Sequence, residues 1–272
     1  ADHVLQPFNV SGSYGASDGI SLVSDQIDLA LFSQLALDAG FLSGEAVHQV
    51  ESFRPQGELS NLQLSLPLAG AVDKSVRLKA NIRSGELLSV GSSPSVKGLN
   101  GYLEVIFALD SQLATGFLEV ESEEFSINLP NIFSQFWDYN YVNGRLNFQA
   151  DLSEGQKIEL VSSLVIAESE AIDGRVMFSV TNTRSILDER SSHLELIVGA
   201  SRADASFKSL YLPDGPNVKE STKNTMEFLG EAILGGNIEN SGVIFRGNSS
   251  SDSPDIEKTF QSYFVLNDGV IG

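Results

Sequence analysis

The side chains best suited to making and breaking bonds are few in this 272-residue chain: three histidines, two acidic clusters and no cysteine. His3, His48 and His193 lack a neighbouring serine-and-carboxylate setting that would make any of them the base of a nucleophilic triad. No His-Glu-x-x-His zinc site, phosphate-cradling glycine loop or dinucleotide fingerprint occurs. Glu121, Glu123 and Glu124 form one acidic cluster; Asp252, Asp255 and Glu257 form the other, without the ligand spacing of a calcium loop. Both read as solvated acidic faces. A glycosidase would need two carboxylates at a set separation and an aromatic platform for sugars, and one Trp with six Tyr gives that reading little support. The expectation is a protein without catalytic residues, metal or cofactor.

Composition narrows the partners. Acidic residues outnumber basic ones 36 to 17, for a net charge of −19, and no Lys/Arg cluster interrupts the acidity. Such a surface repels phosphate backbones and anionic headgroup layers, so nucleic acid is excluded as a partner. With 42% hydrophobic and 19% charged residues the chain can bury a core and is not a disordered tail. Apolar runs such as Val105-Ile106-Phe107-Ala108-Leu109 are strand-sized, far short of the ~18 residues of a spanning helix. The first residues carry no signal-peptide pattern.

What must position any functional surface is a set of strands. Leu62, Leu64, Leu66 and Leu68 alternate with polar residues or proline, as do Val76, Leu78, Ala80 and Ile82. The same period of two runs through Phe125, Ile127 and Leu129, and through Leu146, Phe148, Ala150 and Leu152. Shorter runs occur over 158–160, 176–180, 194–198 and 243–245. That period places apolar side chains on one face of a strand and polar ones on the other, the pattern of antiparallel sheets with one wet face. Ser84-Gly85, Asn143-Gly144, Glu154-Gly155, Asp173-Gly174 and Asn267-Asp268-Gly269 read as the turns between strands. Helices are expected over 27–39, briefly over 132–139, and over 219–234 with Gly235-Gly236 as the stop. Residues 248–254 read as a polar loop. Alternation fits two architectures equally: an open groove, or a closed β-sandwich interaction module whose apolar faces meet in a dry core.

Several strings, in order, resemble a known family: IDLAL over 27–31, PQGEL over 55–59, VKGLNGYL over 96–103, FSINLPNIF over 125–133 and VNGRLNF over 142–148. YLP over 211–213, FLGEAILGG over 228–236, GVIFRG over 242–247 and VLNDGVI over 265–271 follow. Together they resemble the YhdP family of AsmA-like proteins, relatives of TamB, across nearly the whole chain. Where that family usually carries an apolar Pro-Phe element after Arg-Gly, residues 248–255 are rich in Ser and Asp.

The resemblance implies a mainly β fold: an antiparallel, strongly curved meander sheet forming an open groove of the repeating β-groove type, with one or two short helices. It implies a middle segment, 1–272, of a longer inner-membrane-anchored protein reaching through the bacterial periplasm, with a sub-boundary near 90–95 as the alternative division. The implied function is passive phospholipid movement to the outer membrane, in support of barrier integrity, and no catalysis. The implied partners are phospholipid acyl chains, the remaining segments of the same protein and envelope proteins. About fifteen strands at ~4.8 Å would make a groove of roughly 70 Å. Alternation then nominates Leu64, Leu78, Phe125, Ile127, Leu146, Phe148, Val176 and Phe178 as groove lining.

Overall fold

The computed structural model describes residues 9–15, 19–38, 50–68, 70–89, 93–153, 155–185, 190–248 and 258–272. Strands β1 (Val10–Gly15) and β2 (Gly19–Asp28) lead into helix α1 (Leu29–Asp38). Then come β3 (Gln56–Leu66), β4 (Ser75–Leu87), β5 (Ser95–Ala108), β6 (Leu113–Asn128) and β7 (Trp137–Asp151). The short β8 (Lys157–Ser162) and β9 (Val165–Glu168) precede β10 (Ile172–Arg184) and β11 (Arg190–Asp204). A 3-10 turn (Ala205–Leu210), helix α2 (Glu220–Ala232), β12 (Ile233–Asn248) and β13 (Thr259–Ile271) complete the order.

All thirteen strands belong to one sheet, in chain order. Every pairing is antiparallel. The pair β8 and β9 jointly fills the position between β7 and β10. Among the described residues no pairing joins β13 back to β1, so the sheet is an open meander and not a closed barrel. The described residues thus form one sheet, in place of the two facing sheets of a sandwich. Twelve successive strand positions span roughly 50 Å at ~4.8 Å per step, shorter than a fifteen-strand count implies.

The strands are longer than alternation suggests because most of the expected turns lie inside them. Asn143-Gly144 is mid-β7, Ser84-Gly85 is in β4, Asp173-Gly174 in β10 and Asn267-Asp268-Gly269 in β13. Of the expected turn residues that are described, only Gly155 falls between strands, and Glu154 lies outside the described residues. The others mark irregularities in the ladder or close backbone approaches. On β3, residues 60 to 63 face only 81 to 79 of β4, and the extra residue accompanies Asn61 at φ +51°. On β4, 82 to 85 face 101 to 99, with Ser84 at φ +47°. Between β5 and β6, 97 to 101 face 126 to 120, with Gly98 at φ +69° and Glu124 at φ +54°. On β12 the corresponding residue is Asn240, φ +50°. Such bulges bend the strand and sharpen its twist. Left-handed backbone serves a bulge as well as a turn, so Gly, Asn and Asp signal both. Gly144 has a further reason: a Cβ there would stand 2.8 Å from Val165 Cγ2 and 3.1 Å from its Cα, where β9 takes over from β8.

Buried clusters form where the sheet bends. Val120, Phe125, Val142 and Ala167 close together beside the β5–β6 irregularity, backed by Val96, Leu99, Ile127 and Tyr139. Leu59, Leu62 and Ala80 do so at the β3 bulge. An extra residue lets side chains three apart, such as Leu59 and Leu62, enter one cluster, and the bend carries them together.

The helices are shorter than their sequence patterns. Ile27 and Asp28 finish β2, and Asp28 caps α1 by accepting from the Leu31 N–H at 2.9 Å; Ala39 lies outside the described residues. Residues 130–132 form a turn, and Trp137 to Tyr139 begin β7 because they pair with Ile127 to Phe125. Helix α2 stops at Ala232, since Ile233 is extended (φ −104°, ψ 106°) and pairs with Ile271. Strand pairing therefore ends that helix before Gly235-Gly236 is reached. Residues 249–254 of the expected polar loop lie outside the described residues.

A Cβ on Gly116 would stand 2.6 Å from Phe148 Cζ and 2.2 Å from the Glu104 carbonyl oxygen. Gly116→Val is therefore expected to cost about 1–3 kcal/mol, read as a lower thermal unfolding midpoint by circular dichroism. An unchanged midpoint would mean that β5, β6 and β7 do not approach this closely.

Candidate functional site

Directly opposed residues of antiparallel neighbours point to the same face, so the register traces continuous rows across the sheet. One row runs Leu22, Leu64, Leu78, Val105, Gly116, Phe148, Leu160, Val180, Leu194. Every member of it is half-buried, neither packed away nor free. A parallel row carries Ala80, Leu103, Leu118 and Leu146, then after Ser162 Phe178, Leu196, Phe245 and Phe260. A third includes Ile27, Leu59, Ile82 and Val120, and beyond Gly144 Val165, Val176, Val198 and Val243. Among the described residues only ten hydrophobic side chains are buried, and five of those are alanine. Most of the apolar face is therefore only partly covered, a continuous surface and not scattered single residues.

The opposite face carries the ion pairs, with Val161, Met177, Ile197 and Ile244 exposed among them. Lys79 pairs with Glu104 at 3.2 Å, Arg145 with Glu119 at 3.0 Å and Arg246 with Glu195 at 2.9 Å. Arg202 holds Asp173 through two contacts of 2.8 Å, and that guanidinium keeps the Asp173 carboxyl below the usual range. Arg145 also lies 3.7 Å over the Phe117 ring. Exposed pairs of this kind add little stability; they keep this face wet and opposed in character to the other.

The eight residues nominated by alternation all lie on the apolar side. Leu64 and Leu78 are register partners, Phe148 shares their row, Leu146 and Phe178 lie one row over, and Val176 beyond that. These six are half-buried. Phe125 is instead enclosed, at 9% exposure, and Ile127 packs on its cluster. The chemistry-bearing residues do not converge. His193 stands on the polar face with Nε2 3.7 Å from Glu195 Oε1. Glu121, Glu123 and Glu124 are exposed on β6. His3, His48, Asp252, Asp255 and Glu257 lie outside the described residues. Among the described residues no group of three His, Asp or Glu could hold a metal ion. The string GASDG over 15–19 has nucleophile-elbow spacing; its residues 16–18 lie outside the described residues.

Alternation did not reveal that one end of the apolar face is roofed. The 3-10 turn and α2 lie over the ends of β10 to β13 and bound an open-sided cavity of about 240 Å³ between Ile172, Ala203, Leu229, Ile233, Ile238 and Phe264. The roof is pinned to β7 and the loop before it. The Trp137 indole N–H donates to the Leu210 carbonyl at 2.7 Å, and its ring lies 5.3 Å from Tyr211 and 4.4 Å from Phe133. Asp214 accepts from the Ser134 N–H at 2.8 Å and from its hydroxyl, which lowers the Asp214 carboxyl pKa. Burial, with the Tyr211 hydroxyl alongside, pushes the Tyr139 phenol far above its usual range; burial raises Tyr211 as well. The YLP string at 211–213 was the available signal, but its partners lie some 70 residues back in the chain.

Trp137→Phe removes the indole donor at a cost of about 1 kcal/mol. Amides of residues 205–212 and of α2 should then exchange faster with solvent while those of β5 and β6 hold. Unchanged protection would mean that other contacts carry the roof. Because the folded-state pKa of Asp214 is lowered, its contribution is full above the unfolded value of ~3.9 and fades as pH falls through the folded one. The same amides should lose protection first on acidification below about pH 4; Asp214→Asn should remove that pH dependence.

No helix among the described residues is long and apolar enough to cross a membrane. Among curated proteins and among solved structures nothing matches this chain. A family model described as YhdP protein matches residues 1–272. That family is associated with the bacterial envelope and with lipid transport. The chain, over its whole length, belongs to the YhdP family of AsmA-like proteins.

Proposed function

We propose that this chain is a section of a passive phospholipid conduit in the bacterial periplasm, carrying acyl chains along its apolar face while headgroups stay in water. The observation that carries the reading is the row from Leu22 to Leu194, apolar at every position and half-buried throughout. Each methylene moved from water onto such a surface is worth up to ~0.8 kcal/mol, so an acyl chain is held without a specific contact. Positions along the row are near-equivalent, so the chain can slide, and no covalent bond changes. The polar reverse face keeps the section soluble in an aqueous compartment. In this reading the open edges β1 and β13 adjoin further segments of a longer inner-membrane-anchored protein, with envelope proteins at its ends, in support of outer-membrane lipid balance.

Phe148→Glu places a charge in the middle of the row at a half-buried position. The variant should keep its β circular dichroism and lose the phospholipid that accompanies the purified wild type, read by native mass spectrometry with lipid extraction. A wild type free of phospholipid, or a variant that retains it, would overturn the reading. Unfolding of the variant would assign Phe148 to packing, and Leu160→Glu in the same row would then repeat the test.

A further inference from the structure

Resting on that reading, we propose that the roofed cavity is a terminal seat for the end of one acyl chain with an anionic head, and that Lys208 is the partner of that head. The walls Ile172, Ala203, Leu229, Ile233, Ile238 and Phe264 are apolar and bound about 240 Å³ open to solvent on one side, room for on the order of eight methylene-sized groups. The cavity continues the open face: Ser241 at its edge pairs with Ala200, next to the Val198–Val243 row.

Four polar side chains border it, and two are already engaged. Asp204 accepts from the Ser206 N–H at 2.8 Å and caps the 3-10 turn. The Tyr211 hydroxyl is shared with Tyr139 and Ser169. Ser241 lies beside the Asn240 bulge and carries no charge. Lys208 is different: it is half-buried, and among the described residues its ammonium has no hydrogen bond or ion pair. In a chain of net charge −19, Lys208 is a half-buried cation without an ion pair at an apolar rim, its stem against the apolar wall and its head available to an anionic group. Apolar walls with one free cation at the rim are complementary to an amphiphile with a single negative head. Neither a bare anion nor a neutral detergent uses both features.

Titration of the full chain with dodecyl phosphate, dodecyl maltoside and inorganic phosphate tests this, each below its aggregation limit. Dodecyl phosphate should bind at one tight site, Lys208→Ala should weaken it about tenfold or more, and Lys208→Arg should restore it. Dodecyl maltoside should be indifferent to Lys208→Ala, and inorganic phosphate alone should not bind. Ala203→Trp, which fills the cavity, should abolish the tight site while native mass spectrometry still finds phospholipid on the open face. An unchanged dodecyl phosphate affinity in Lys208→Ala, or equal binding of inorganic phosphate, would overturn the seat. If phospholipid nevertheless accompanies these variants, only the seat fails. If it accompanies neither them nor the wild type, carriage fails with it.

Discussion

The architecture depends on cross-strand register. In an antiparallel sheet an opposed pair shares a face, and a slip of one residue sends a whole strand's apolar set to the wrong side. Here the row from Leu22 to Leu194 runs unbroken from β2 to β11 between the bulges, with leucine, valine or phenylalanine at every position but Gly116. A two-faced sheet results from that parity alone. Ion pairs such as Lys79–Glu104 and Arg145–Glu119 are the same parity seen from the other side.

A sheet that leaves its apolar face uncovered gives up much of the burial on which globular domains rely. Its stability comes from three other sources. The backbone ladder is long and nearly complete, with strands of up to sixteen residues. The bulges fold the face onto itself and close two small cores, around Phe125 and around Leu62. At the far end the 3-10 turn and α2 supply a roof, pinned by Trp137 and Asp214. Between these supports the row through Phe148 stays accessible. The openness that a lipid surface needs and the rigidity that a fold needs are thus met at different places on one sheet.

Alternation identified the strand character and the polar and apolar faces correctly because side-chain direction is a local property with a period of two. The same locality explains the errors. Asn143-Gly144 and Asp173-Gly174 have turn chemistry, yet the first sits within β7, where a Cβ on Gly144 would meet Val165, and the second at a register shift within β10. The C-terminal helix loses its last residues to a pairing between Ile233 and Ile271 that no local pattern contains. Phe125 and Phe148 have the same alternation and different fates: one is enclosed beside the Glu124 bulge, the other half-open in the middle of a row.

By itself the sequence determined that this is an acidic chain of two-faced antiparallel strands, and its ordered motifs pointed to the family. Charge and two-residue periodicity need no knowledge of distant partners. Only the tertiary structure decided that the strands form one open sheet and not two facing ones, where the sheet bends, and that its end is roofed. Those outcomes rest on contacts between residues far apart, such as Trp137 with Leu210 and Ser134 with Asp214. An apolar side chain reads identically in sequence whether a second sheet, a helix or nothing lies above it.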